Sequence, residues 1–187
     1  MTYILFAWVA SIASALIAIT AKLTTKYSIA NPWLFNFLLN VIILVCIIPF
    51  ALFNHASIPH NFIPVLFVGV SGALFYVFYT LAIYKIDVSV MAPLFNFRTV
   101  FAVVLGVLFF GEHFSTYQFI LAFVIIIAGI FATIDDTLNV RSFLNRSVGL
   151  GVAAMAFLAI NNVAIKWATS YDNIWTVNLW EAIISLL

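Results

Sequence analysis

Long apolar runs separated by short polar segments dominate this sequence. A membrane-spanning helix needs about 20 mostly apolar residues. Six runs approach that length, and a seventh is still apolar at Leu187. The predicted helices cover residues 2–21, 32–53, 62–86, 88–110, 116–134, 148–165 and 174–187. These runs are too long for strands and lack period-2 alternation, so the pattern predicts an all-α polytopic transmembrane helix bundle.

Polar residues just before these runs predict where helices begin. Asn31, followed by Pro32, and Asn61 are expected N-caps, because their side-chain oxygens can accept the first free backbone N–H groups. Ser115 and Gln118 have the spacing of a capping box at the start of the fifth helix. The links are short, so consecutive helices should be antiparallel neighbours.

The composition supports a multi-pass membrane protein. The chain is 66% hydrophobic and 7% charged, whereas soluble domains carry roughly a quarter charged residues. The apolar surface must therefore face lipid, and we expect the plasma (inner) membrane. The single cysteine, Cys46, excludes an intrachain disulfide and is expected to be a small buried apolar residue.

Several classes of function are not supported by any motif. The sequence has no basic stripe for nucleic acid, no phosphate loop, and no paired catalytic or metal-ligating groups. We therefore expect no enzyme activity, no catalytic residues, no cofactor and no metal. The expected partners are the lipid bilayer and a small-molecule substrate, and the choice between a monomer and a homo-oligomer is open.

The second half of the chain begins like the first half. At an offset of about 144 residues, Lys22 falls on Lys166 and Tyr27 on Tyr171, and each lysine is followed by a polar link and a new apolar run. A five-helix repeat has an odd number of crossings, so its second copy would be inverted, as in many transporters. We expect a first repeat at 1–137, a polar linker at 138–147 and the start of a second repeat at 148–187. The chain would then be a C-terminally truncated fragment of a protein of roughly ten helices.

Three segments and a glycine resemble a known family. Residues 79–83, 89–94 and 106–112, with Gly129, resemble the end of the first repeat in EamA-type permeases of the drug/metabolite transporter superfamily. The structural motif residues would be Pro93, Gly106, Gly111 and Glu112. Residues 156–166, with Asn161, Asn162 and Lys166, resemble the opening helix of the second repeat. Trp8 and Arg98 depart from the family pattern. The resemblance implies a ten-helix basket of two inverted repeats that moves small metabolites, such as amino acids, or drugs, often outward.

Arg98 is the most informative candidate for substrate binding. It falls near the midpoint of the fourth run, where a charge costs at least about 3 kcal/mol on insertion scales. We expect it to face the bundle interior or a water-filled cavity and, with Asn96 nearby, to anchor an anionic group. The alternative is a structural arginine bonded to backbone carbonyls. Pro93, earlier in the same run, should bend the helix and free a carbonyl group.

Glu181 is the second candidate, inside the last apolar run. It shares one helix face with Asn178 and Ser185. It could pair with Arg98 or carry a coupling proton, or it could be an early-turn residue that reaches interfacial water.

The third run adds Tyr76 and Thr80, which could line a substrate pocket. They share a face with Gly69 and Gly72, whose expected role is close helix packing.

Other polar residues have simpler interpretations. Asn36 and Asn40 should form interhelical hydrogen bonds. Lys22 and Lys166 should snorkel to the interface. Glu112 is more readily explained as a structural cap than as a transport residue.

Together these features predict a secondary transporter that works by alternating access. The alternative is a channel-like or structural membrane subunit without a transport cycle. Lys and Arg residues fall in links one, three and five, which favours a cytoplasmic location for those links. The family resemblance implies the reverse, so the orientation is open.

Overall fold

Seven α-helices make up the described part of the chain. The computed structural model describes residues 2–111, 115–131 and 146–187. The helices are α1 Thr2–Tyr27, α2 Pro32–Phe53, α3 Phe62–Lys85, α4 Val88–Phe110, α5 Thr116–Phe131, α6 Arg146–Ala168 and α7 Ile174–Leu186. No strand occurs among the described residues, and the all-α prediction is confirmed.

Four of these helices, α1, α2, α3 and α6, are long and apolar enough to cross a membrane. A segment of α4 and the whole of α7 are shorter apolar helices. The helices and their composition agree with an integral membrane protein.

Two helices extend past their predicted ends. α1 continues to Tyr27, so Lys22 lies inside its last turns and does not terminate it. α6 starts at Arg146 and ends at Ala168. The expected linker at 138–147 and the end of the predicted fifth helix lie mostly outside the described residues.

The predicted caps are confirmed. Asn31 Oδ1 accepts a hydrogen bond from the Trp33 backbone N–H at 2.9 Å, and Asn61 Oδ1 accepts one from Ile63 at 3.2 Å. These bonds satisfy N–H groups that have no partner within the helix.

The link between α4 and α5 has both of its expected end signals. Gly111 ends α4 in a left-handed conformation with φ 61°, which glycine adopts without steric cost. The backbone N–H of Ser115 donates to Gln118 Oε1 at 2.8 Å, and the Gln118 N–H donates back to Ser115 Oγ at 3.3 Å. This reciprocal pair is a capping box. Glu112 lies outside the described residues.

Hydrogen bonds place the links of the bundle at two opposite ends. The Lys22 ammonium donates to the carbonyls of Ile83 and Ile86, and the Tyr84 hydroxyl donates to the Ile29 carbonyl. The α1–α2 and α3–α4 links therefore lie at one end, which we call face A.

The opposite end joins the α2–α3 and α6–α7 links, and we call it face B. Ser57 N–H donates to Thr176 Oγ1 at 3.1 Å, and the Trp180 indole N–H donates to the Ser57 carbonyl at 3.1 Å. Thus α1 ends at face A whereas α6 ends at face B, and the two helices run in opposite directions.

The entries into α2 and α7 share a local pattern. Asn31, Trp33 and Asn36 have the same spacing as Asn173, Trp175 and Asn178. In both places the first asparagine caps its helix by accepting the tryptophan N–H, at 2.9 Å and 3.1 Å. This likeness is what an inverted repeat would produce, and the repeat boundaries stay predictions.

Two apolar clusters hold the described helices together, with α3 packed along α6 and α7. The cluster nearer face A includes Ile83, Met91, Leu94 and Met155. The cluster nearer face B consists of Val65, Val68, Ala164, Ala168 and Val177. Burial of these side chains is the main source of contact among α3, α4, α6 and α7.

Cys46 is exposed on α2, so the expectation that it is buried is wrong. It belongs to the side of α2 that carries other exposed apolar residues, Ile42 and Val45 among them. That side needs no protein neighbour, because lipid can cover it.

Candidate transport site

Polar side chains converge on Gly72 of α3, between the two apolar clusters. A Cβ atom built on Gly72 would lie 2.7 Å from Glu181 Oε1, 3.2 Å from Asn161 Nδ2 and 3.3 Å from Ser185 Oγ. Glycine lets the backbone come this close to side chains of α6 and α7. We call Gly72, Asn161, Glu181 and Ser185 the Gly72 cluster.

Asn161 joins the three helices of this cluster. It is 5% exposed, and its Nδ2 donates to the Val68 carbonyl of α3 at 3.0 Å and to Glu181 Oε1 of α7 at 2.9 Å. The bond to Val68 fixes the Asn161 amide against α3, and the bond to Glu181 then holds that carboxylate in a defined position.

Gly69 brings α3 and α7 together one turn from the cluster. A Cβ atom on Gly69 would lie 2.4 Å from Ile184 Cβ, so the two helices touch at this point. The Ser185 hydroxyl donates to the Gly69 carbonyl at 3.3 Å. Close packing was the role expected for the glycines of α3, and the structure confirms it.

The cluster lies near the middle of α3, a helix long and apolar enough to cross a membrane. Gly72 is about 15 Å along the axis from the start of α3 and about 20 Å from its end, at the rise of an α-helix. Glu181 contacts α3 at that level, and its role in transport stays a prediction.

A half-buried carboxylate between apolar clusters is stabilised by a proton or a cationic partner. Apolar side chains flank the cluster on both sides, and an unpaired charge at this depth is costly. No described residue forms an ion pair with Glu181. The geometry therefore suits reversible binding of a proton or of a cationic group.

Tyr76 and Thr80 follow Gly72 at four-residue spacing along one face of α3. Tyr76 is half-buried. Thr80 is buried, and its hydroxyl donates to Asn36 Oδ1 of α2 at 3.2 Å. The interhelical bond predicted for Asn36 is confirmed, whereas the Asn40 amide donates within α2 to the Asn36 carbonyl at 2.9 Å.

Arg98 is not part of this cluster. Its side chain is exposed on the described helices and not enclosed as expected, and no ion pair joins it to Glu181 or another described residue. Arg98 follows Met91 and Leu94 on one stripe of α4, and those two are buried. Phe101, further along the same stripe, packs against the cluster nearer face A, so the exposure is local to Arg98 and Thr99.

The other predicted residues of α4 lie along the helix before and after Arg98. Asn96 is half-buried, and α4 continues through Pro93 as an uninterrupted helix. Gly106 is buried, and its carbonyl accepts the backbone N–H of Gly111. The roles of Arg98 and Asn96 in substrate binding stay predictions.

Lys22 has a role that sequence reasoning missed. Its ammonium lies 2.8 Å from the Ile83 carbonyl and 2.7 Å from the Ile86 carbonyl, with Asp87 at 3.9 Å. These are free carbonyls at the end of α3, where a cation is favourable. Lys22 therefore fastens α1 to the α3–α4 link and does not snorkel to lipid head groups.

Asp172 forms a second long-range polar contact, with His60 at face B, that the sequence did not reveal. Asp172 Oδ1 lies 2.7 Å from His60 Nδ1 and accepts the His60 backbone N–H at 2.9 Å. Burial works to raise the pKa of the Asp172 carboxyl, but the hydrogen bonds from His60 and Asn61 and the His60 charge hold that pKa below its ordinary value. Among the described residues no group of side chains could hold a metal ion.

Comparison with known proteins gives one match. The model of the EamA-like transporter family matches residues 1–134, which is more than half of the chain. No curated protein and no solved structure matches it. Members of this family are transporters and not enzymes. The chain thus belongs to the EamA-like transporter family and is a membrane transporter of the drug/metabolite transporter type.

Proposed function

We propose that this protein is a secondary transporter that moves a small metabolite, such as an amino acid, or a drug across the plasma (inner) membrane by alternating access. The Gly72 cluster is the centre at which the proton or the cationic group of the substrate binds. Glu181 is the binding group, Asn161 positions its carboxylate, and Tyr76 and Thr80 line the approach.

One observation carries this proposal: three polar side chains from α6 and α7 meet at a glycine near the middle of α3. Interior polar groups are costly in a membrane, and intramembrane carboxylates are usually functional. Transporters built from inverted repeats bind their substrates near the bilayer midplane. The antiparallel directions of α1 and α6 support the same mechanism.

Arg98 and Asn96 form the second part of the proposal, as an anchor for an anionic group of the substrate. The planar guanidinium suits bidentate binding of a carboxylate. The exposed position of Arg98 on α4 leaves this side chain open to a ligand. A zwitterionic amino acid would offer both charges that the two sites require.

The test is transport by full-length protein in proteoliposomes, with Glu181→Gln as the variant. Glutamine keeps an oxygen that can accept the Asn161 hydrogen bond, but it cannot take up the proton or bind a cation as a carboxylate does. Uptake of the twenty amino acids and of ethidium is measured with an inward or an outward pH gradient. We expect Glu181→Gln to lower proton-coupled uptake at least tenfold.

Asp87→Asn is the matched control, because it makes the same chemical change at a carboxylate whose side chain is 87% exposed. Its transport should equal that of the parent protein. Normal coupled transport by Glu181→Gln would overturn the proposal. Flux that does not saturate with substrate concentration would favour a channel instead.

A further inference from the structure

A line of polar groups runs from the Gly72 cluster towards face A, between α2 and α3. On α3 these groups are Tyr76 and Thr80, about 14 Å and about 8 Å from the end of the helix at Lys85. On α2 they are Asn36 and Asn40, about 6 Å and about 12 Å from Pro32. The groups therefore occupy successive depths between face A and Glu181.

Asn40 lies on this line with an oxygen that lacks a donor. The residue is 2% exposed, its Nδ2 donates to the Asn36 carbonyl, and its Oδ1 has no partner among the described residues. α2 and α3 are antiparallel, and the Asn36–Thr80 bond fixes their register. One turn further in, Asn40 is therefore at the level of Tyr76. A buried carbonyl oxygen without a donor costs about 1–3 kcal/mol, so this position favours a water molecule or another donor.

The line is closed at its outer end. A narrow crevice between α2 and α3 is lined by Pro32, Trp33, Asn36, Val77, Thr80 and Leu81. The hydrogen bond between Thr80 and Asn36 crosses it. Because the bond joins two neutral side chains, it can break and re-form at low cost.

We propose that Glu181 exchanges protons with face A through this line, and that the Asn36–Thr80 hydrogen bond is its gate. When the bond opens, water reaches Asn40 and Tyr76, and a hydronium ion gives its proton to the Glu181 carboxylate and leaves as water. The inference rests on the proposed function for the role of Glu181, but it assigns the path and the side of access independently.

The test measures access of a membrane-impermeant, charged methanethiosulfonate reagent to single cysteines in the full-length protein. Cys46→Ser supplies the background, since Cys46 is exposed. Asn40→Cys and Thr80→Cys report on the line. Lys26→Cys marks face A and Ile58→Cys marks face B, because both positions are exposed. Val70→Cys, on the exposed side of α3, is the control for reagent that enters from lipid.

We expect Asn40→Cys and Thr80→Cys to react from the side of Lys26→Cys at least tenfold faster than from the side of Ile58→Cys. Val70→Cys should be protected from both sides. Thr80→Val, which keeps the shape but removes the hydroxyl donor, should speed the modification of Asn40→Cys about tenfold. Access from face B only, or equal rates at Asn40→Cys and Val70→Cys, would overturn the inference.

A second measurement needs no cysteine on the line. Water-soluble carbodiimide with an amine nucleophile should modify Glu181 itself from face A, detected by mass spectrometry of the peptide, and Glu181→Gln removes the signal. Absence of modification from face A in folded protein contradicts the path. If the path is found but Glu181→Gln transports normally, the proposed function fails while the path stands.

Discussion

Two charged residues lie deep in apolar helices of this chain, and their surroundings differ. Glu181 of α7 is half-buried against α3 and α6 and accepts a hydrogen bond from Asn161. Arg98 is exposed on α4 and forms no ion pair with a described residue. Yet both positions are near the middle of their apolar runs.

The comparison shows that the position of a residue within an apolar run does not determine how far neighbouring helices cover its side chain. Depth sets the cost of a charge, whereas enclosure by neighbouring helices decides which groups can reach it. Enclosure of Glu181 depends on two glycines, Gly69 and Gly72, that let α7 approach α3.

Arg98→Leu challenges this comparison most strongly. If Arg98 anchors an anionic group, the variant should insert into the membrane as well as the parent does and lose transport, measured by uptake in proteoliposomes. Arg98→Lys keeps the charge without the planar fork, so affinity for the substrate should fall while some transport remains. Normal transport by Arg98→Leu would mean that the enclosed carboxylate acts without this arginine.

Gly69→Ala tests what encloses Glu181. Its new methyl group would meet Ile184 Cβ, which cannot move without a shift of α7, so the free energy of unfolding should fall by about 3 kcal/mol. Gly149→Ala is the control, because nothing lies within 4 Å of its added Cβ, and helix propensity should raise stability by up to about 1 kcal/mol. Unfolding in mixed micelles measures both. Equal effects of the two substitutions would show that the α3–α7 contact is loose.

Lys22→Met examines a third charge, whose side chain is 20% exposed. Loss of two charged hydrogen bonds to α3 carbonyls should cost about 2 kcal/mol of unfolding free energy. Lys26→Met removes a lysine of the same helix that lies 5.2 Å from the Tyr27 ring centroid, and it should cost about 0.5 kcal/mol. A Lys22→Met variant as stable as Lys26→Met would contradict the fastening of α1.

The pair of His60 and Asp172 extends the comparison to a carboxylate at the end of the bundle. Loss of this pair should have the smallest effect of those predicted. The pKa of the Asp172 carboxyl is lowered by folding. The stabilisation that the ionised Asp172 carboxylate gives the fold is therefore complete at pH values above its ordinary pKa of 3.8. It is lost as the pH falls through the folded pKa. At pH values below about 4 we expect the amides of the α2–α3 link to lose protection against hydrogen exchange. The loss should be less than about tenfold, because His60 is exposed. Hydrogen exchange measures this, and Asp172→Asn should remove the pH dependence. A pH dependence that persists in Asp172→Asn would contradict the assignment.

Most of the fold followed from local chemistry. An apolar run of sufficient length is a transmembrane helix whatever surrounds it, and Asn31, Asn61, Gly111 and Ser115 act within a few residues of their positions. The sequence predicts too early an end for α1, because a lysine after an apolar run resembles a local stop signal. The partner carbonyls of Lys22 are 61 and 64 residues away.

The candidate site was only partly predictable for the same reason. The sequence alone indicates Glu181, Tyr76 and Thr80, because polar residues inside apolar helices are energetically costly and therefore stand out. Their grouping depends on Asn161, which bonds to Val68 across 93 residues, and on the absence of a side chain at Gly72. Asp172 looked like an ordinary loop residue, because its partner His60 is 112 residues distant.

Infrared difference spectroscopy of the reconstituted full-length protein tests, without knowledge of the substrate, whether Glu181 binds and releases protons at the Gly72 cluster. Spectra at high and low pH should differ by the carbonyl band of a protonated carboxylic acid, with the frequency of a group shielded from water. Glu181→Gln should abolish that band, and Asp87→Asn should leave it unchanged. A band that titrates equally in the parent protein and in Glu181→Gln would contradict the account.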